Sequence, residues 1–204
     1  MIEMLRHFVP ELLAGFMINL QIAFAAVVIA VVFGVPLALL RQKVPQTRWI
    51  VRPGVRLMQA APTYVIMFFV LNLLPRNFSV FGVAATGLAA VIVAQSVYLT
   101  SYVAENAFQA LEHLRRNQPE DALLFLPNLL RGFVVVVMSS GFGAAVGVSE
   151  AVGTTMKRAE QLHGLPQRIV LFVLVIAFFI AVFATANGVI RRVMRWCVPQ
   201  RPAV

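Results

Sequence analysis

Residues 12–40 read LLAGFMINLQIAFAAVVIAVVFGVPLALL, without one aspartate, glutamate, lysine or arginine. A helix needs about 20 mainly apolar residues to cross the ~30 Å hydrocarbon core of a bilayer. This run exceeds that length, so the sequence predicts a spanning helix that tilts or projects past the bilayer. Working outward, four more stretches qualify: about 55–74, closed by Pro75, about 80–103, about 123–148 and about 169–190. No run alternates in the manner of a barrel strand, and in lipid only helices or closed barrels satisfy every backbone polar group. The expected fold class is therefore all-α. The chain reads as a polytopic integral membrane protein with about five transmembrane helices in a single domain, 1–204.

Composition points the same way. Hydrophobic residues make up 60% of the chain and charged residues 12%, and the mean hydropathy is +0.85. A soluble domain carries about 25% charged residues, so too little polar surface is available to coat a soluble globule. The formal charge of +9 raises the possibility of nucleic acid, but the distribution of the charge speaks against it. Arg41, Lys43, Arg48, Arg52 and Arg56 lie between the first two apolar runs, and Arg115 and Arg116 between the third and fourth. Arg191, Arg192, Arg195 and Arg201 follow the fifth. Basic loops stay in the cytoplasm, which places the N-terminus outside and the C-terminus inside. On the opposite side Arg6 and Arg76 are isolated, while Lys157, Arg158 and Arg168 form an opposing cluster. Glu3 and Glu11, followed by an apolar run too long for a signal peptide, predict that the first helix is retained. Cys197 is the single cysteine, so no intrachain disulfide is expected.

Catalytic chemistry is not encoded. The phosphate-cradling pattern G-x-x-x-x-G-K-[ST] does not occur. His7, His113 and His163 are too far apart for metal-ligand spacing, and Glu120 and Asp121 have no partner base. No cofactor, metal or enzymatic activity is expected. Polar groups close to the membrane carry more information, because they are costly there. Glu105, just past the third apolar run, either lines a pathway or reaches the interface. Ser139 and Ser140, in the middle of the fourth, either line a pathway or bond to carbonyls of the preceding turn. Asn72, Gln95 and Asn187 are similar cases. Gly143 and Gly147 form a G-x-x-x-G beside Gly141, which reads as close helix packing.

One segment is more specific. Tyr102-Val103-Ala104-Glu105 is followed by Ala110-Leu111, Leu114 and Gln118-Pro119-Glu120-Asp121-Ala122. This resembles the membrane-spanning permease subunits of ABC importers for polar amino acids, of the histidine, glutamine and arginine type. Their pattern is Y-x-x-E, a helical stretch, then G-Q-x-E-A-A in a cytoplasmic loop. Gly15 and Leu20, Ala61-Pro62, Leu126-Pro127, the run to Gly147-Val148-Ser149-Glu150, and Arg191-Arg192 extend the resemblance over nearly the whole chain. The coupling loop is shortened: after Ala122 the chain passes at once to Leu123-Leu124-Phe125-Leu126-Pro127, without the family's glycine. Asp121 stands for its second alanine, and Gln59 and Phe108 for two of its arginines. Met138-Ser139-Ser140-Gly141 stands for its K-D-T-S-like stretch.

The resemblance implies a permease forming half of a translocation pathway in a bacterial cytoplasmic (inner) membrane. Gln118, Glu120, Asp121 and Ala122 would dock on the ATPase, and Glu105, Ser139 and Ser140 would belong to the pathway. It also implies the partners: ATPase subunits, a second permease subunit, identical or not, an extracytoplasmic substrate-binding protein and membrane lipid, with no nucleic acid. The shortened loop also admits a degenerate relative serving as a non-transporting structural or regulatory membrane subunit.

Overall fold

A computed structural model describes residues 2–75, 78–80 and 83–197. Arg76 and Arg201 lie outside them. The elements run α1 (Ile2–Lys43), a 3-10 turn (Pro45–Thr47), α2 (Arg48–Ala60), α3 (Thr63–Leu73), β1 (Ser79–Val80), β2 (Val83–Ala84) and α4 (Thr86–Arg115). There follow α5 (Pro119–Ala122), α6 (Phe125–Ser139), a 3-10 segment (Ser140–Val146), α7 (Ala151–Glu160) and α8 (Leu165–Cys197). The strands form one small antiparallel hairpin. Among the described residues, four helical segments are long and apolar enough to cross a membrane, and a fifth crossing exists if the bent pair α2–α3 is one span.

The sequence boundaries need three corrections. The second stretch, read as one helix over 55–74, is broken: α2 and α3 meet at 93°. Pro62 forces this, because its ring pushes the preceding Ala61 out of the helical region, and Ala61 is extended at φ −72°, ψ 121°. The third stretch enters its helix only at Thr86 and continues past 103 to Arg115. The fourth leaves the α-helix at Ser139 and tightens into the 3-10 segment before 148. The basic tail at Arg191, Arg192 and Arg195 is the end of α8 itself. Of the opposing cluster, Lys157 and Arg158 occupy the last turn of α7, where exposed carbonyls favour cations, and Arg168 lies in the first turn of α8.

The frame is the pair α1 and α4. Ile22 clusters with Ala90, Val91 and Ala94, Gly34 faces Thr100 and Val103, and Arg41 meets Glu105. The offset stays nearly constant along both helices, so they run parallel. Small residues allow this. Ala23, Ala26 and Ala30 are fully buried against Leu99, Val103, Val136 and Val137. A Cβ on Gly34 would come within 2.8 Å of the Thr100 carbonyl oxygen. In lipid, where apolar burial gives helices no advantage over contact with acyl chains, such close backbone approach drives association. α7 and α8 pack on the other flank of α1, where Phe8 and Leu12 join Ala151, Leu171 and Val175. Phe16 meets Phe178 edge-on, ring centroids 5.1 Å apart.

Candidate functional site

The loop that carries the sequence motif is built by two termini in succession. α4 ends in a left-handed residue, Asn117, at φ 58°. Asparagine tolerates that region better than most side chains. The Gln118 N–H donates to the His113 carbonyl at 2.9 Å, and the Asn117 N–H to the Leu114 carbonyl at 3.1 Å. This pair of bonds is the Schellman arrangement that closes helices. Pro119 then opens α5 at a first-turn position, where its missing N–H costs nothing. Ala122 is buried, whereas Gln118 and Glu120 are exposed. Gln118 Oε1 lies 3.2 Å from His113 Nδ1, and Asp121 Oδ2 lies 3.9 Å from the same nitrogen.

Ala110, Leu111 and Leu114 continue α4 rather than forming a separate helix. With Pro119, Glu120, Ala122 and Leu123 they line an open apolar groove of about 530 Å³. Leu114 is 54% and Leu123 50% exposed. α4 runs ten residues from Glu105 to Arg115, about 15 Å at 1.5 Å per residue. Glu105 is level with Arg41, close to the end of α1 at Lys43, and the groove runs along the last turns of α4 between Val35 of α1 and Phe125 of α6.

Glu105 accepts from Arg41 Nη1 at 2.7 Å, and the Arg41 guanidinium lies 3.8 Å from the centre of the Phe108 ring. Gln42 Nε2 donates to the Leu111 carbonyl at 3.1 Å. These contacts fasten the end of α1 to α4, just where the groove begins. A charge-assisted bond of this kind contributes about 1.5–3 kcal/mol. Glu105→Ala is therefore expected to lower stability by about 1–2 kcal/mol, the lower part of that range because the glutamate is partly exposed. Swapping the charges (Arg41→Glu with Glu105→Arg) should recover part of the loss, as read by thermal unfolding in detergent micelles. Equal stability of Glu105→Ala and the unsubstituted chain would show that the pair is not a fastener. Behind it, Tyr102 OH donates to the Asn128 carbonyl at 3.2 Å, and Asn128 Nδ2 to Asn106 Oδ1 at 2.8 Å. The Tyr102–Glu105 motif thus grips α6 through its first residue and α1 through its last.

Ser139 and Ser140 end α6 and serve different neighbours. Ser139 Oγ donates to Gln95 Oε1 of α4 at 3.2 Å. Ser140 Oγ is fully buried, donates to the Val137 carbonyl at 2.8 Å and accepts from Asn19 Nδ2 at 2.8 Å. Gly143 and Gly147 do not share one α-helical stripe. Gly143 sits in the 3-10 segment, its missing Cβ facing Val148 at 3.1 Å, and Gly147 follows it at φ 82° with open space where a Cβ would be. The i, i+4 spacing of a G-x-x-x-G marks one face only in an α-helix. Here Gly147 supplies the left-handed turn that ends the segment.

Sequence reasoning missed a buried polar cluster around Glu150. This side chain caps α7, accepting from the backbone N–H groups of Val152 and Gly153 at 2.8 Å each. It also accepts from Asn19 Nδ2 at 3.1 Å, and Asn19 Oδ1 in turn accepts from the Ala151 N–H at 3.0 Å. Asn19 and Glu150 are both fully buried. Asn19 lies in the first half of the first apolar run. The available signal was an asparagine, with Gln21 two residues on, in a spanning helix whose run 12–40 is otherwise without carboxylates, amides or basic groups.

No protein-family model matches the chain. A probable amino-acid ABC transporter permease of Sinorhizobium fredii is 32% identical over 110 residues, 52% of this chain and 46% of that protein. The chain thus spans about half the length of the curated relative it matches. Among solved structures, a chain of an amino acid ABC transporter crystallised with histidines superimposes with a TM-score of 0.72. It is 17% identical, and the match covers 94% of this chain and 96% of that one. A chain of the inward-facing MetNI methionine ABC transporter gives a TM-score of 0.63, also at 17% identity, over 89% and 95%. In sequence over half its length and in fold over nearly all of it, this chain resembles the membrane-spanning permease subunits of amino-acid ABC transporters.

Proposed function

We propose that this chain is a permease subunit of an ATP-driven importer of polar amino acids and forms half of the translocation pathway in a bacterial cytoplasmic membrane. The observation that carries the proposal is the apolar groove along the last turns of α4, closed by α5 and lined in part by Glu120 and Ala122, with Gln118 and Asp121 on the same short segment. A rigid element of this kind is what an ATPase must grip to turn its own closure into movement of a helix bundle. Alternating access in transporters is largely rigid-body rocking, and the partner shifts it only through contacts that differ between the two states. Its fastening to α1 through Arg41 and Glu105 carries force from the groove into the α1–α4 frame.

In this reading the basic segments face the cytoplasm and the N-terminus lies outside. The ATPase subunits meet the loop, a second permease subunit completes the pathway, and an extracytoplasmic binding protein delivers the substrate. The names of the relatives support amino acids as the substrate class, and the α4–α5 motif supports the polar subclass. The test is reconstitution of the chain with an ATPase subunit, a second permease and a binding protein encoded beside it. Uptake of labelled polar amino acids by ATP-loaded vesicles is expected, with none when ATP is withheld. Failure to co-purify with the ATPase in mild detergent, or uptake that follows an ion gradient without ATP, would sink the proposal.

A further inference from the structure

α2 does not belong to the bundle as the other helices do. It leaves α3 at 93°, so with α3 along the bilayer normal it lies in the membrane plane. Its depth follows from its contacts. Val51 and Val55 pack on Ala104, with Leu37 beside them. Leu37 stands one turn before Arg41, the first charged residue after the apolar run. Charged side chains stay out of the hydrocarbon core, so α2 rests near the boundary between acyl chains and headgroups.

Successive residues of a helix turn by about 100°, which divides α2 into three faces. One, with Val51 and Val55, is buried against the protein. A second carries Arg48, Arg52 and Arg56 at four-residue spacing, all exposed. The third is apolar yet exposed, with Ile50 at 58% and Leu57 at 72%, while Trp49, 74% exposed, stands at the border with the arginines, about 20° around the helix from Arg56. Arg48 Nε donates to the Arg41 carbonyl at 3.0 Å, whereas among the described residues Arg52 and Arg56 have no ion-pair partner.

We propose that α2 is an interfacial helix whose arginine face binds the phosphates of anionic lipid headgroups while Ile50 and Leu57 enter the underlying acyl boundary and Trp49 sits where headgroups and acyl chains meet. Helices that lie in an interface combine these features: a basic polar face, and tryptophan and leucine on the apolar one. Basic segments beside a membrane span draw anionic lipid. An acidic protein surface matches the arginine face alone and leaves Ile50 and Leu57 in water, whereas a lipid surface satisfies both faces. The proposal rests on the membrane-spanning fold and is independent of the transport reading.

The test uses the full chain with Trp196→Phe, which leaves Trp49 as the reporter of the two tryptophans present. The protein is reconstituted in phosphatidylcholine vesicles containing an equal fraction of brominated phosphatidylcholine or brominated phosphatidylglycerol. Both lipids are expected to quench Trp49, and the phosphatidylglycerol more strongly. Arg52→Gln with Arg56→Gln should remove the excess and keep the phosphatidylcholine quenching, which also reports that the variant has folded and inserted. Arg52→Lys with Arg56→Lys should keep the excess. Each neutralised arginine is expected to lower local enrichment roughly fivefold, and about 1 M salt should weaken the preference further. Equal quenching by the two lipids in the arginine-bearing chain overturns the headgroup assignment. Quenching by neither places this face against a protein and overturns the proposal outright.

Discussion

Glu150→Ala is expected to cost about 3–5 kcal/mol and to release α7 from α1, by the summed loss of buried hydrogen bonds. The fully buried carboxylate accepts from the Val152 and Gly153 N–H groups and from Asn19 Nδ2. Alanine leaves the two backbone donors without this acceptor, while Asn19 Nδ2 keeps Ser140 Oγ. A buried donor without a partner costs about 1–3 kcal/mol. The losses share one network and should not add. Asn19→Ala combined with Glu150→Ala is expected to cost less than the sum of the two, with a coupling of about 1 kcal/mol or more. Glu150→Gln keeps one acceptor and turns an amide toward the donors, so its loss should fall between. Titration with SDS in detergent micelles, followed by far-UV circular dichroism, reads these differences. A Glu150→Ala chain within about 0.5 kcal/mol of the unsubstituted one, the scatter of ordinary surface substitutions, would show that the cluster does not hold α7.

The second large effect lies on a surface and should leave the fold untouched. Leu114→Asp puts a charge in the groove between α4 and α5. Leu114 is 54% exposed, so the chain alone should change by no more than about 0.5 kcal/mol. If the groove receives an ATPase subunit, the same substitution removes a central apolar contact and buries an unpaired charge. Such interface positions are worth about 2 kcal/mol or more, which is roughly a thirtyfold loss of affinity. ATP-dependent uptake should then fall at least tenfold, while the SDS midpoint of the isolated chain stays in place. Unchanged co-purification with the ATPase and unchanged uptake would show that the partner grips another surface. A large drop in the stability of the isolated chain would show instead that Leu114 is part of the core.

The two substitutions separate what was readable in the sequence from what was not. Leu114 belongs to a motif visible along the chain, because Tyr102 through Ala122 is one local segment. Its turn chemistry, Asn117 followed by Gln118-Pro119, is written in consecutive residues. Glu150 was visible only as the end of a matched stretch. Its partner Asn19 lies 131 residues away, and no local pattern joins them. The packing glycines show the same division. The G-x-x-x-G at Gly143 and Gly147 has the right spacing, but the backbone there is not α-helical. The face that brings helices close runs instead along Ala23, Ala26, Ala30 and Gly34 of α1, a periodic row of small residues that was present in the sequence and passed over.

By itself the sequence determined that this chain lives in a membrane as helices, since apolar length and the absence of water leave the backbone no other choice. It also placed the basic segments and the α4–α5 motif between the apolar runs. Tertiary structure alone decided how polar groups were satisfied. Arg41 finds Glu105 across parallel helices, Asn19 finds Ser140 and Glu150, and the chain bends by 93° at Pro62 between α2, with its three exposed arginines, and α3. Hydrophobic length is a property of consecutive residues, so it can be read in order. A buried hydrogen bond or a depth in the bilayer is a property of residues far apart in the chain, and it exists only once the helices have packed.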